Sequence, residues 1–156
     1  VYGADTQRTV LTAGILEGPI GCRPQGWHYD YRGNTENIFI PLVPLTARNG
    51  TEYVDFGSLA QSAANRAAVL AFILQRGAAG DDLLTLPPLP IADSYRVRRL
   101  NAEPYKIVRM HSHALHRGVR NEESYTRRVF FIASTDQPDY HLDEAYLAPI
   151  IVDDGT

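Results

Sequence analysis

Short runs of β-branched and aromatic residues, separated by clusters of turn residues, make up most of this chain. Such runs occupy about 9–16, 38–43, 53–56, 95–100, 106–115 and 127–134, and these residue types favour extended strands. Gly18-Pro19 and Asn49-Gly50 are strong turn signals, so the runs at 38–43 and 53–56 are predicted to pair as a hairpin. Many strands with turns between them indicate a mostly β, mostly antiparallel fold, either a sandwich or a jelly roll.

One segment breaks this pattern, because its apolar residues recur at helical rather than alternating intervals. A helix is predicted at about 58–76, with Ser58 as N-cap and Gly77 just past the C-terminus. Its predicted apolar face consists of Leu59, Ala63, Ala67, Leu70 and Leu74. The residues that follow, 77–94, are rich in glycine and proline, which indicates a mobile surface flap rather than core.

Length and composition limit the chain to a small set of protein classes. At 156 residues, 44% apolar and 21% charged, it is predicted to be a single domain over residues 1–156. A net charge of −3 gives no reason to expect a nucleic-acid partner, and no apolar run is long enough to predict a membrane span. Cys22 is the single cysteine, which fits a reducing, cytoplasmic location. The oligomeric state stays open, and the start at Val1 without methionine suggests that an N-terminal part is missing.

His28 and Asp30 form the pattern that carries the most chemical information. Residues i and i+2 of a strand point the same way, so both side chains can face one metal ion while Tyr29 points away. A bare pair of this kind often occurs by chance, and its weight depends on a third ligand. Together with one more histidine it would form the 2-His-1-carboxylate set that holds non-haem Fe(II) and leaves metal positions open.

Three histidines compete for the third position: His111, His113 and His116. If residues 118–124 are a turn between two strands, His116 and Arg127 lie opposite each other, with Cβ atoms about 5 Å apart. His111 and His113 then fall on the opposite strand face, which favours His116. Arg127 would bring a forked, permanently charged partner for a carboxylate close to the metal.

Three segments resemble the phytanoyl-CoA dioxygenase family of Fe(II)/2-oxoglutarate-dependent oxygenases. Residues 21–30, GCRPQGWHYD, are similar to the family's PPQ-x-W-H-x-D segment. Pro44-Leu45-Thr46 followed by 49–52, NGTE, is similar to its PLT…NGPTE, and 116–121, HRGVRN, followed by 127–129, RRV, is similar to its HRGGAN…RRV. The segments keep the family's order, although Leu59 stands where the family's PGSH motif has histidine.

The resemblance implies a fold, a set of ligands and an activity. The implied fold is a cupin-like double-stranded β-helix, or jelly roll, that lacks most of the family's preceding helical part. The implied metal ligands are His28, Asp30 and His116, holding Fe(II), with 2-oxoglutarate bound through Arg127 and O₂ as oxidant. The implied reaction is hydroxylation of a small organic molecule with release of succinate and CO₂. Related halogenases replace the carboxylate ligand with a small residue, so Asp30 favours hydroxylation.

Further candidate contacts carry a simpler structural explanation beside the functional one. Thr51 is a candidate second contact to 2-oxoglutarate, although its place after Asn49-Gly50 also explains it as a turn residue. Candidate substrate contacts are Trp27, Tyr29, Tyr31, Arg32, Asn34 and Asn121, for which packing or turn formation is the plainer role. Two other functions stay open: a catalytically silent jelly-roll binding protein, and a cupin-type metal enzyme that does not use 2-oxoglutarate.

Overall fold

Strands dominate the described part of the chain, which the computed structural model gives as residues 8–30, 35–56, 59–80, 83–91, 95–111 and 114–137. The elements in chain order are β1 (Thr9–Gly18), β2 (Thr35–Pro41), β3 (Glu52–Asp55), α1 (Leu59–Ala78), β4 (Arg96–Arg99), β5 (Val108–His111), β6 (His116–Arg117) and β7 (Arg127–Thr135). Their kinds follow the predicted ones, since the period of apolar residues is a local property of the sequence. The exception is the strand predicted at 106–115: β5 occupies only 108–111 of it, and β6 begins at His116 in the other sheet.

The strands form two antiparallel sheets. The larger sheet has the strand order β1-β7-β2-β5 and the smaller one β4-β3-β6. A single bridge between His28 and His116 adds the segment around His28 to the free edge of β6. Over the residues that the structure describes, the prediction of a mostly β, antiparallel fold with one helix is therefore confirmed.

The predicted hairpin of 38–43 with 53–56 is wrong. β2 pairs with β7 and β5 in the larger sheet, whereas β3 pairs with β4 and β6 in the smaller sheet. The chain instead turns within 44–50, where Asn49 Oδ1 accepts from the Thr46 amide at 2.8 Å and Gly50 N donates to Thr46 O at 2.9 Å. β2 is also an internal strand with Pro41 at its end, where a missing amide donor breaks no central ladder bond.

The predicted opposition of His116 and Arg127 across a hairpin is also wrong. β6 pairs with β3, and β7 pairs with β1 and β2, so the two residues belong to different sheets. The connection is held by Asn121, which is fully buried and donates to the carbonyls of Gly18 and Tyr125 at 2.8 and 2.7 Å. The Asn121 side chain thereby supplies hydrogen bonds to backbone carbonyls that, in a hairpin, would pair with the opposite strand.

Helix α1 extends two residues beyond the predicted end, and its buried face is centred on other residues than the predicted apolar face. Among residues 64–78, whose side chains the structure describes, Val69 and Ile73 are buried. Leu70 of the predicted face is partly buried against the core, whereas Ala67 is exposed. The left-handed glycine after the helix is Gly80, with φ of 78°, rather than Gly77. Ser58 lies outside the described residues.

A hydrophobic core lies between α1 and the smaller sheet. It joins Val69 and Ile73 to Val54, Leu115, Trp27, Tyr29, Phe56 and Leu89. Leu83, Leu86 and Ile91 also pack against this core, so the predicted flap is anchored over the described residues 83–91. No helix in the described ranges is both long and apolar enough to cross a bilayer.

Candidate metal centre

His28, Asp30 and His116 converge between the two sheets. Alternation along the extended backbone sends Trp27, Tyr29 and Leu115 into the helix-side core and leaves the ligand side chains on the other face. One ligand atom from each of the three residues lies within 4.8 Å of the other two. Asp30 Oδ1 is 3.5 Å from His28 Nε2 and 3.4 Å from His116 Nε2. These separations are close to the roughly 3 Å expected between ligands that meet at right angles about 2.1 Å from one ion.

Both imidazole rings are held in the orientation that a metal requires. His28 Nδ1 donates to the Gly26 carbonyl at 2.7 Å, and His116 Nδ1 donates to the Ala114 carbonyl at 2.8 Å. A proton fixed on Nδ1 leaves the Nε2 lone pair for a metal. The donor set and the tautomers therefore fit a divalent transition metal.

Asp30 and His116 perturb each other electrostatically. Burial by itself raises the pKa of the Asp30 carboxyl, but the charge of His116 and hydrogen bonds from both imidazoles outweigh it and hold that pKa below its usual value. Burial lowers the pKa of His116, but Asp30 and the Ala114 carbonyl raise it above the usual value. The site therefore favours a charged carboxylate beside a positive centre, a role that a bound cation also fulfils.

Only part of this centre is open. The side chain of His116 is 7% exposed, compared with 27% for His28 and 20% for Asp30. His116 is thus enclosed, and the solvent-exposed side of the centre lies at His28 and Asp30.

Arg127 is half-buried, and within the described residues no carboxylate pairs with it. Its Nη1 donates to the carbonyls of Asn49 and Val119 at 2.8 and 3.2 Å. Two glycines surround the rest of the guanidinium: an added Cβ would lie 2.9 Å from Nε and Nη2 at Gly18 and 3.1 Å from Nη2 at Gly118. Burial lowers the pKa of Arg127, an effect that Cys22 partly offsets. An arginine stays protonated in such surroundings. Gly18 and Gly118, called the glycine cradle below, therefore surround a positive charge that is suited to an anionic ligand.

Trp27 and Tyr29 lie away from the centre. They are 2% and 7% exposed and belong to the helix-side core, and Arg117 stacks over the indole ring 5.0 Å from its centroid. Burial raises the pKa of the Tyr29 hydroxyl above its usual range, although Arg66 counteracts this. Packing therefore explains both aromatic residues.

The remaining residues that the sequence suggested as ligand contacts lie in different parts of the structure or outside the described residues. Asn121 braces the loop before β7, as described above, which is a structural role. The carbonyl of Thr51 accepts from the Leu100 amide at 2.8 Å, a contact between the loop and the strand end that involves no side-chain atom. Tyr31, Arg32, Asn34 and His113 lie outside the described residues. His111 lies on β5 opposite Glu36, on the sheet face away from Asn37 and the centre.

Two residues near the centre were not predicted from the sequence. Tyr53 is the cross-strand partner of His116, so it projects from the same face of the smaller sheet. Asn37 of β2 is 1% exposed and its Nδ2 donates to Asp30 Oδ2. A tyrosine in one strand and an asparagine in another give no local sequence signal that their side chains lie at the metal centre. Only the sheet pairing brings them to the centre.

Neither protein-family models nor curated protein sequences match this chain, but solved structures do. EvdMO1 matches with a TM-score of 0.59 and 12% identity, over 85% of this chain and 28% of that protein. The non-haem α-ketoglutarate-dependent carbocyclase SnoK from nogalamycin biosynthesis matches with a TM-score of 0.55 and 14% identity, over 80% of this chain and 48% of SnoK. Iron-bound HygX from Streptomyces hygroscopicus matches with a TM-score of 0.54 and 11% identity, over 81% of this chain and 58% of HygX.

At these identities the likeness shows a shared fold. The chain spans between 28% and 58% of the length of these three proteins.

Proposed function

We propose that this chain is the core domain of a non-haem Fe(II)- and 2-oxoglutarate-dependent oxygenase that hydroxylates a small organic molecule. In this proposal residues 1–156 form one domain, and the two sheets are the walls of a double-stranded β-helix. The fold is shared with SnoK, described as α-ketoglutarate-dependent, and with HygX, which binds iron. A fold alone hosts many functions, so the proposal depends on the residues of the centre.

The observation that carries the proposal is the convergence of two Nε2 atoms and one carboxylate oxygen. Both rings are locked by their Nδ1 hydrogen bonds, so His28, Asp30 and His116 can occupy one face of an octahedral ion. Such a set leaves the other face free for a co-substrate and O₂. Among the described residues no fourth ligand joins this set, whereas a structural zinc site has four protein ligands.

Arg127 is assigned the distal carboxylate of 2-oxoglutarate. Its Nη1 is used by backbone carbonyls, while Nε and Nη2 lie beside Gly18 and Gly118 without a hydrogen-bond partner among the described residues. Two parallel N–H groups match the geometry of one carboxylate. A cupin-type metal enzyme without a keto acid, the second candidate, does not require an arginine that has no carboxylate partner among the described residues.

Bound in this centre, iron with the keto acid and O₂ supplies a C–H hydroxylation in which 2-oxoglutarate is converted to succinate and CO₂. The protein's own residues bind and orient: the two imidazoles and Asp30 fix the metal, and Arg127 fixes the keto acid. The open side at His28 and Asp30 admits the substrate. Because Asp30 supplies a carboxylate ligand, hydroxylation is favoured over halogenation.

The proposal is tested by measuring Ni(II) binding by calorimetry and Fe(II)-dependent succinate formation from 2-oxoglutarate in the presence of ascorbate. His116→Ala should bind the metal much more weakly, while Arg127→Ala should keep metal binding and lose the response to 2-oxoglutarate. Arg128→Ala is the matched control, because Arg128 is the next residue, points outward and pairs with Glu17 at 2.7 Å. It should behave as the wild type.

The outcomes separate the three candidate functions. Metal binding without any effect of 2-oxoglutarate would favour the cupin-type enzyme. No metal binding at all, in a folded protein, would favour the catalytically silent jelly-roll binding protein.

A further inference from the structure

The amide of Asn37 is buried against the candidate metal ligand Asp30. Asn37 is 1% exposed and lies in the middle of β2, an internal strand of the larger sheet. Its Nδ2 donates to Oδ2 of Asp30. The opposite amide orientation would place two acceptor oxygens against each other, so the donor assignment follows from the chemistry of the pair.

This hydrogen bond divides the two oxygens of Asp30 between two tasks. Oδ1 faces the two Nε2 atoms at 3.5 and 3.4 Å, whereas Oδ2 is occupied by Asn37. A carboxylate held in this way presents a single oxygen to a metal. One-oxygen coordination leaves an additional metal position free for a co-substrate.

Asn37 is poorly suited to stabilising the fold. Asparagine is disfavoured in strands, and its Oδ1 is buried without any hydrogen-bond partner among the described residues. A half-satisfied buried amide destabilises a protein relative to an apolar side chain of the same size. A buried residue that lowers stability is expected at a functional site, where another requirement outweighs local stability.

We propose that Asn37 is a positioning residue that holds Asp30 as a one-oxygen metal ligand through the hydrogen bond from Nδ2 to Oδ2. This inference deepens the proposed function and depends on the metal centre. Hydrogen-bond partners of ligating carboxylates orient the ligand, and their loss lowers metal affinity by about 10- to 100-fold.

The test compares Ni(II) affinity and thermal unfolding of the metal-free protein. Asn37→Leu keeps the branched side chain of four heavy atoms and removes the amide, so Ni(II) should bind about 10- to 100-fold more weakly. The unfolding temperature of the metal-free protein should change by no more than about 4 °C. Losing the hydrogen bond to Asp30 destabilises the fold, but removing the buried Oδ1 that has no partner among the described residues stabilises it by a similar amount. Asn37→Ser, which is smaller and cannot reach Asp30, should lose affinity in the same direction and serves if the leucine variant does not fold.

A double-mutant cycle decides whether Asn37 acts through Asp30. In an Asp30→Ala background, where two histidines still bind Ni(II) weakly, Asn37→Leu should change the affinity by less than about twofold. Ser134→Ala is the matched control: it removes a buried hydroxyl from the adjacent strand, where Ser134 accepts from Arg8 rather than contacting Asp30. It should leave Ni(II) affinity unchanged.

Each result has one consequence. Wild-type Ni(II) affinity in both Asn37 variants would overturn this inference and leave the metal centre intact. An equal loss with and without Asp30 would also overturn it. A wild-type protein that binds no Ni(II) would overturn the proposed function, and this inference with it.

Discussion

Gly18→Ala should weaken 2-oxoglutarate binding without weakening metal binding. The backbone of Gly18 is not in the left-handed region, so alanine is compatible with its conformation. The new Cβ would lie 2.9 Å from Nε and Nη2 of Arg127, closer than the 3.0 Å limit that real Cβ atoms respect. Arg127 has a long side chain and can move, so the conflict should displace the guanidinium rather than the strand.

The size of the effect follows from the displacement. Ordinary contact begins at 3.4 Å, so the guanidinium must shift by roughly 0.5 Å, enough to break one of two charge-assisted hydrogen bonds to a carboxylate. One such bond contributes about 1.5–3 kcal/mol. Since about 1.4 kcal/mol corresponds to tenfold in affinity, the dissociation constant of 2-oxoglutarate should rise roughly 10- to 150-fold. Stability should stay equal or rise slightly, because alanine restricts the unfolded chain.

The assay is calorimetric titration of 2-oxoglutarate into Ni(II)-loaded protein. Gly14→Ala is the matched control, because the same substitution in the same strand meets Phe131 Cε1 at 3.2 Å and not Arg127. It should bind the keto acid as the wild type does. Unchanged binding in Gly18→Ala, or an equal loss in both variants, would refute the role assigned to the glycine cradle.

Three further changes test the ligand, the surface ion pairs and the core. Asp30→Ala should abolish hydroxylation, and the wild type should form no chlorinated product in high chloride by mass spectrometry; full activity of the variant would contradict the ligand set. Glu52→Gln should lower the free energy of unfolding by about 1 kcal/mol at pH 7. Glu52 forms ion pairs with Arg99 and Arg117. Burial raises the pKa of Glu52, but these two arginines outweigh burial and lower it below its ordinary value of 4.5. This contribution is therefore present above pH 4.5 and lost as the pH falls through the folded-state pKa, so urea titrations at pH 7 and pH 3 should show the difference shrinking. Val69→Ala, at a fully buried helix position, should lower the free energy of unfolding by about 1.5–3 kcal/mol, whereas Ala67→Ser on the exposed face should change it little.

Local patterns in the sequence determined the kinds of elements and one half of the candidate centre. Runs of β-branched and apolar residues predicted β1 and β7, and the helical period predicted α1, each to within about two residues of the observed ends. His28 and Asp30 also share a face for a local reason, the alternation of side chains along an extended backbone. These features depend on neighbours in sequence, so they can be predicted without knowing the fold.

Tertiary structure decided which strands pair and what surrounds the centre. Both predicted hairpins failed, because strand pairing depends on distant segments: β2 and β3 separate into two sheets, and so do β6 and β7. The sequence argument favoured His116 through a hairpin that does not exist; in the structure it approaches His28 through a bridge across 88 positions. Asn37 meets Asp30, and Gly18 meets Arg127, for the same reason. Contacts between residues far apart in sequence have no local signature, and only the closed fold, which must pair its backbone groups and bury its apolar faces, brings them together.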